Sequence, residues 1–479
     1  MTDLPAQWPE HFSPEVVQGA PSSNSLSSIC IALEAWRRGL KVRFLSGDLH
    51  KYAISQGKHE VRFNCALPTS ITKREDTLRL RRKAVANDIL EKHGLPVPRA
   101  VLLDARETSK KEVKRRAKAI GYPLVLKPNT GSVGRGVIVN LNSFDELWRG
   151  FEYLVNTLKI NAIVLESYHT GNDYRVLVIG DEVVAACHRK PANVIGDGTS
   201  TIRGLITAKN KKRRANPFLG KGKIKIDHEV ENCLREQELT VASVVARNQP
   251  VYLRKVANAS AGGDVVDVTD ELPTEVKRAA IAAVKAMPNI EISGVDILYD
   301  SDSGEFVIIE MNRRPHIAVN MYPSIGVGRD VPHAFINHFF PESARSEQPD
   351  DQIFRFNLEH VRKALITRTS NSVSVAPLAQ HRFPVRRNYV FANGGGMKEL
   401  TAQQEMSLLK IASRHRLSGS VRKRRDHIEM FVAARDEELI EPLEQVATEL
   451  FGHGEAETPH NLTSLTTGFT VDQRLVVAN

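Results

Sequence analysis

Two stretches of this chain restrict its fold more than any others: Gly294-Val295-Asp296, and Ile309-Glu310-Met311-Asn312-Arg313-Arg314-Pro315. A short strand-turn-strand pattern separates them. Val295 and Ile297 flank Asp296, while Ile308, Ile309 and Met311 surround Glu310 and Asn312. Side chains alternate faces along a strand, so Glu310 and Asn312 point the same way. Two carboxylates and a carboxamide on rigid strands suit Mg²⁺, which takes a few protein oxygens and completes its shell with water and phosphate. Taken alone, the pattern equally describes a hairpin whose acids face water. What lies upstream has to decide.

A chain of 479 residues is too long for one core and predicts roughly three domains. No stretch approaches the ~20 apolar residues of a membrane span. Met1-Thr2-Asp3-Leu4-Pro5 carries neither a basic n-region nor an apolar h-region. Cys30, Cys65, Cys187 and Cys233 are scattered without CxxC spacing, which argues against a zinc site or disulfide framework and fits a reducing cytoplasm. A cytoplasmic protein with no membrane partner is therefore expected. The net charge of +10 gathers in two runs, Lys209-Asn210-Lys211-Lys212-Arg213-Arg214 and Arg422-Lys423-Arg424-Arg425. Neither is interleaved with aromatic residues that could stack on bases. They read as solvated loops, and nucleic acid is disfavoured as a partner.

Residues 1–20 are Pro-rich and expected to be poorly ordered. Leu26, Ile29, Leu33 and Trp36 recur at helical spacing, and strand and hairpin patterns follow to about residue 75. Residues 79–93 read as one helix closed by Gly94. Strands are expected at 101–103, 123–128, 137–140 and 162–167, helices at 108–120 and 144–158, and an antiparallel pair at 174–178 and 182–186 across Gly180-Asp181. The boundaries expected are 1–78 for a small N-terminal α/β domain, 79–343 for the central domain, 344–384 for a linker, 385–456 for a C-terminal α+β module and 457–479 for a tail.

Lys127 ends an apolar strand just before Gly131-Ser132-Val133-Gly134-Arg135-Gly136. The GK[ST] ending of a P-loop is missing, and the loop leads into β-structure rather than a helix, so neither a P-loop nor a dinucleotide fingerprint fits. A glycine loop between strands can still fold over phosphates, because its N–H groups approach closely. An ordinary glycine hairpin fits as well. Glu166-Ser167-Tyr168 ends the next strand, where backbone groups and Glu166 could bond an adenine edge. Asp173 and Arg175 follow. Arg254 ends a strand before a small-residue loop and suits an anion.

The ordered series resembles the ATP-grasp superfamily over about residues 80–340, in the branch of cyanophycin synthetase and the bifunctional glutathione synthetase. Asp173-Tyr174-Arg175-Val176-Leu177-Val178-Ile179, Arg189-Lys190-Pro191-Ala192-Asn193-Val194-Ile195-Gly196-Asp197-Gly198, Gly262-Gly263-Asp264 and the two stretches above carry the likeness. It implies an α+β ATP-grasp fold: a small N-terminal α/β domain plus two α+β subdomains clasping ATP. Lys83 and Lys127 would then bind phosphates, with Gly131, Ser132, Gly134 and Gly136 as the phosphate loop. Glu166, Ser167, Tyr168, Asp173 and Arg175 would line the nucleotide site. Asp296, Glu310 and Asn312 would ligate Mg²⁺ or Mn²⁺, and Arg254 and Asn258 would act at the γ-phosphate and acyl-phosphate. The implied activity is ATP-dependent ligation of a carboxylate to an amine, on amino acids or small peptides. Relatives of this kind are often dimers or tetramers, which leaves room for a homo-oligomer. Arg313-Arg314-Pro315-His316 departs from the less charged segment of relatives and points to an acidic substrate. Neither His188 nor His316 is given a role.

Gly419-Ser420-Val421-Arg422 with Ile428-Glu429-Met430 resembles acylphosphatase, giving a ferredoxin-like expectation for the C-terminal module. Lys423 stands where an acylphosphatase carries asparagine, so docking or dimerisation is expected of it rather than hydrolysis. The alternative to a ligase is an ATP-binding regulatory or RNA-associated protein without ligase activity. It would bind nucleic acid in a salt-sensitive way.

Overall fold

The structure is a computed structural model describing residues 7–17, 19–131, 134–343, 353–375, 383–392, 400–424, 427–457 and 464–472. The chain divides into two compact units, Met1–Ile31 with Val61–Pro341 and Ala32–Glu60 with Glu342–Asn479.

In the first unit, the strands Ala100–Asp104, Ala162–Ser167, Leu124–Pro128 and Ile138–Leu141 lie side by side in that order and pair antiparallel. Helices Lys110–Ile120 and Phe144–Glu152 cover one face. Val113, Ala117 and Ile120 recur one helical turn apart, and they meet Leu124, Leu126, Leu147, Phe151 and Leu165 in one core. Ser109 caps the first helix by accepting from the Glu112 N–H, and Gly121, at φ +91°, ends it.

A second antiparallel sheet runs Asp264–Asp267, Glu182–Lys190, Asn172–Ile179, Ile292–Tyr299, Phe306–Asn312. Tyr174, Val176, Val178, Val295, Ile297, Ile308 and Met311 pack against Ala86 and Leu90 of Lys83–Lys92 and Val276, Ala280 and Ala283 of Thr274–Lys285. Alternation places Asp173, Arg175 and Asp296 on the opposite face. One irregularity matters. Asp296 faces Glu310 but Ile297 faces Ile308, so Ile309 is an extra residue in its strand. This bulge lets Ile308 and Met311 both face the core, and it keeps Glu310 and Asn312 on the polar side. A satellite core of Ile202, Ile206, Val230, Leu234 and Val251 joins Ile202–Arg214 to His228–Glu236.

In the second unit, Lys41–Phe44 pairs antiparallel with both Lys51–Gln56 and Val373–Val375. Val385–Ala392, Ala402–Arg414, Ser418–Lys423, His427–Ala434, Glu441–Phe451 and Gly454–Glu457 form a β-α-β-β-α-β module. Its sheet order is Gly454–Glu457, Val385–Ala392, His427–Ala434, Ser418–Lys423, the ferredoxin-like split βαβ plan. Tyr389, Phe391, Leu408, Met430, Leu443 and Phe451 fill its core.

Several local expectations differ from what folds. The segment 353–375, within the stretch read as linker, carries Ile353–Arg355, helix Leu358–Ile366 and Val373–Val375, with Phe354, Val361 and Leu365 buried. From the stretch read as tail, Ser464–Thr466 pairs parallel with Ile353–Arg355, and Phe469–Asp472 with Ser418–Lys423. Near the N-terminus, Phe12, Val16 and Val17 are buried, which gives residues read as poorly ordered an apolar anchor. The helix expected at 79–93 is two helices, Arg74–Arg81 and Lys83–Lys92, broken where Arg82 turns extended (φ −92°, ψ 100°). The run at 209–214 is not a solvated loop. It is the last part of Ile202–Arg214, with Arg213 buried on the carbonyls of Gly222, Gly263 and Ala259.

Candidate active site

The break at Arg82 sets Lys83 at the start of a helix. Its Nζ donates to Glu310 Oε1 at 3.0 Å and to the Gly131 carbonyl at 3.3 Å. Lys127 ends the fully buried strand Leu124–Pro128. It pairs with Glu166 Oε1 at 2.7 Å on the neighbouring strand and donates to the carbonyl of the bulge residue Ile309 at 3.3 Å. Burial pushes the Glu166 carboxyl above its usual range, against the pull of Lys127 and then Lys83. Lys83, Asn87, Lys127, Glu166 and Glu310 line a small cavity of about 20 Å³. These two sheets of the first unit thus deliver cations and carboxylates to one place.

On the second sheet, Arg175 lies opposite Asp296 and grips it through two bonds, Nε to Oδ1 at 2.7 Å and Nη2 to Oδ2 at 2.8 Å. Arg189 bridges Asp173 at 2.5 Å and Asp296 at 3.1 Å. Burial works to raise the Asp296 carboxyl, but the two guanidiniums overcome it and hold it at about 2. Asp173 is raised by burial and by Asp296, with Arg189 opposing. Nothing in the sequence marks Arg189 for this role beyond its place in the Arg189-Lys190-Pro191 motif. A bulge between Val183 and Ala185 shifts the register by one and brings Arg189, rather than His188, opposite Asp173.

Glu310 and Asn312 stand on the same face as Asp296. The Asn312 Nδ2 is buried with no hydrogen-bond partner. An amide can be turned to present oxygen in place of nitrogen, so this carboxamide is a side chain with an unmet polar atom on the sheet face that carries two carboxylates. The donor set of two carboxylates and one amide oxygen fits a hard divalent cation. Among the described residues no group of three or more His, Cys, Asp or Glu side chains is placed to hold a metal. The fit therefore depends on the amide.

The remaining expected residues fall into three places. Gly134 (φ +71°) and Gly136 (φ +76°) adopt left-handed backbone in the glycine loop, and a Cβ on Gly136 would press on Pro128, Leu154 and Leu158. Ser132 lies outside the described residues. The Ser167 and Tyr168 N–H groups donate to the carbonyls of Arg99 and Pro123, so those donors are engaged within the fold. Arg254 sits elsewhere, with Nη2 on Asp227 at 2.5 Å, Nη1 on Glu229, and a buried Nε without a partner. Asn258 caps the short turn Ala259–Ala261 through the Ser260 N–H. Among the described residues no hydrogen bond or ion pair links Arg254 or Asn258 to Lys127, Asp296 or Glu310.

At the far end of the metal-suited strand, Arg313 and Arg314 follow Asn312. Burial weakens the Arg313 guanidinium's hold on its proton, and the neighbouring charges of Arg314 and Arg81 weaken it further. Arg314 Nη1 donates to Asn64 Oδ1 at 3.2 Å.

With two sheets converging on paired lysines, carboxylates and a glycine loop, the first unit has the ATP-grasp fold. Residues 80–203 match the family described as the RimK-like ATP-grasp domain. The chain is 32% identical over 321 residues to the glutathione biosynthesis bifunctional protein GshAB of Desulfotalea psychrophila, covering 64% of this chain and 40% of that one. It is 32% identical over 275 residues to cyanophycin synthetase of Crocosphaera subtropica, covering 54% of this chain and 30% of that one. Among solved structures it is similar to a bifunctional glutathione synthetase from Pasteurella multocida, with TM-score 0.52 and 27% identity over 66% of this chain and 43% of that one. The chain spans less than half the length of these relatives. Among the described residues no helix is long and apolar enough to cross a membrane.

Proposed function

We propose that this chain is an ATP-dependent, ADP-forming carboxylate–amine ligase acting on amino acids or small peptides. The substrate carboxylate takes the γ-phosphoryl group of ATP, and an amine displaces phosphate from the resulting acyl-phosphate. The observation that carries this reading is the Lys83–Glu310 pair beside the Lys127–Glu166 pair, with Asp296 and Asn312 on the same sheet face as Glu310. Phosphoryl transfer asks for positioning and charge neutralisation more than for covalent help. Lys83 and Lys127, each already within reach of a glycine-loop or strand carbonyl, would hold phosphate oxygens. Their carboxylate partners, Glu310 and Glu166, keep the lysines extended until the nucleotide arrives. A divalent cation, Mg²⁺ by preference, would be held by Asp296, Glu310 and Asn312 and would supply charge neutralisation on the phosphates. Arg175 and Arg189 orient Asp296. Arg254 belongs to this proposal as an anion ligand, and its place on Asp227 and Glu229 requires it to change partners on binding.

The alternative, an RNA-associated protein, gains no support from the basic run, since Lys209 is committed to Asp264 at 2.6 Å and Arg213 to buried carbonyls. The test is ADP release by the full chain with ATP and Mg²⁺ across a pairwise panel of amino acids and dipeptides, with mass detection of products. Amine-dependent ADP with a condensed product is expected, and Glu310→Ala should abolish it. Unchanged turnover in that variant would remove the proposed metal site.

A further inference from the structure

Most cations around the polar face are neutralised by a named acid. Lys83 has Glu310, Lys127 has Glu166, and Arg175 and Arg189 have Asp296 and Asp173. Arg81, Arg313 and Arg314 are the contrast. Arg313 is partly buried, its significant charged neighbours are the other two arginines, and none of the three has a carboxylate partner among the described residues. Arg314 is steadied by the Asn64 amide, which is neutral and so orients the guanidinium without cancelling it. Arg313 is half-buried beside two exposed arginines with no acid between them among the described residues; like charges repel one another, and the arrangement calls for an anion from outside.

Its location says which molecule would bring that anion. Arg313 directly follows Asn312 in the chain, and Arg81 ends the helix just before Lys83, whose ammonium lies on Glu310. The cluster therefore borders the place where the carboxylate would be phosphorylated. The arginine fork matches a carboxylate through two parallel hydrogen bonds, and a lysine would not reproduce this. We propose that Arg81, Arg313 and Arg314 bind a second carboxylate of the acyl substrate, one besides the carboxyl that reacts. The proposal rests on the ligase reading. It makes the enzyme selective for acids with two or more carboxylates over acids with one.

The test has a kinetic and a binding arm, both on the full chain. Among the substrates that release ADP, Arg313→Ala and Arg314→Ala should raise KM for a multi-carboxylate acid on the order of tenfold to a hundredfold, the span of one or two charge-assisted hydrogen bonds. KM for ATP should not move, and Arg314→Lys should recover only part of the loss. A rise in KM for ATP instead would assign the arginines to the nucleotide and overturn the proposal. Equal use of one-carboxylate acids, unaffected by the variants, would overturn it as well.

The binding arm omits ATP. Tricarballylate should raise the melting temperature of the unmodified chain above that in butyrate at equal ionic strength, and the double variant Arg313→Ala/Arg314→Ala should lose the difference. No difference in the unmodified chain would overturn the proposal whether or not any ligase activity is found. Absence of amine-dependent ADP from every pair, with the tricarballylate effect intact, would instead count against the ligase reading alone.

Discussion

At the scale of single residues, buried charges and rings of the first unit make definite expectations. Arg189 is held between two buried carboxylates. Removing one partner of such a group leaves charge buried without compensation, which costs about 3–5 kcal/mol. Arg189→Ala should therefore lose stability of that order in urea unfolding, whereas a surface arginine such as Arg106, paired at the surface with Asp104, should lose little. His188 makes a pH expectation. It stacks on Tyr174 with ring centroids 5.0 Å apart, and burial, then Lys190, hold it down at about 4. The folded chain thus keeps this imidazole neutral where the unfolded chain, titrating near 6.5, takes up a proton. Between those two values the unfolded state binds more protons, so stability falls as pH falls from about 6.5 towards 4. Urea midpoints at pH 7 and pH 5 should differ less in His188→Gln than in the unmodified chain.

At the scale of elements, glycines separate close approach from mere freedom. A Cβ on Gly196 would run into the Ala246 carbonyl oxygen and meet the Val245 carbonyl oxygen at 2.9 Å, both backbone. Gly196→Ala should cost about 1–3 kcal/mol, as overpacking does. Gly204 lies in Ile202–Arg214 with only ordinary contacts for a Cβ, and Gly204→Ala should gain about 0.5–1 kcal/mol. Urea midpoints of the two variants should move in opposite directions.

Strand identity and the facing of Glu310 with Asn312 were legible in the sequence, because apolar residues alternate with them. The two bulges were not. Counting inward from Gly180-Asp181 puts His188 opposite Asp173, and only the extra residue near Val183 and Ala185 brings Arg189 there. Likewise, regular alternation from Phe306 would drive Glu310 into the core, and Ile309 prevents it. A bulge changes register by one without a strong compositional mark. The split at Arg82 was hidden for a related reason, since helical spacing continues straight through it. The pairings of Arg254 with Asp227 and Glu229 join residues far apart in the chain, where local pattern has nothing to say.

At the scale of the molecule, the chain divides into two compact units. Unfolding should show more than one transition in calorimetry. ATP with Mg²⁺ should raise the transition of the unit carrying Lys83, Lys127 and Asp296, by about 2.7 kcal/mol at a hundredfold excess over Kd. The other transition should stay in place, and a joint shift of both would show that the two unfold as one.

The second unit draws its first strands from one end of the chain and the rest from the other. Val42 lies opposite Val375, and Ile353 opposite Ser464. On a ribosome, Lys41–Phe44 emerges early and its partner Val373–Val375 only after the whole first unit has been made. At roughly 5–20 residues per second, that strand waits on the order of tens of seconds with an open edge. The ATP-grasp unit can finish folding during synthesis. The second unit cannot close until residues 373–375 and 464–472 have been made, so a polypeptide released before them keeps an exposed edge available for aggregation.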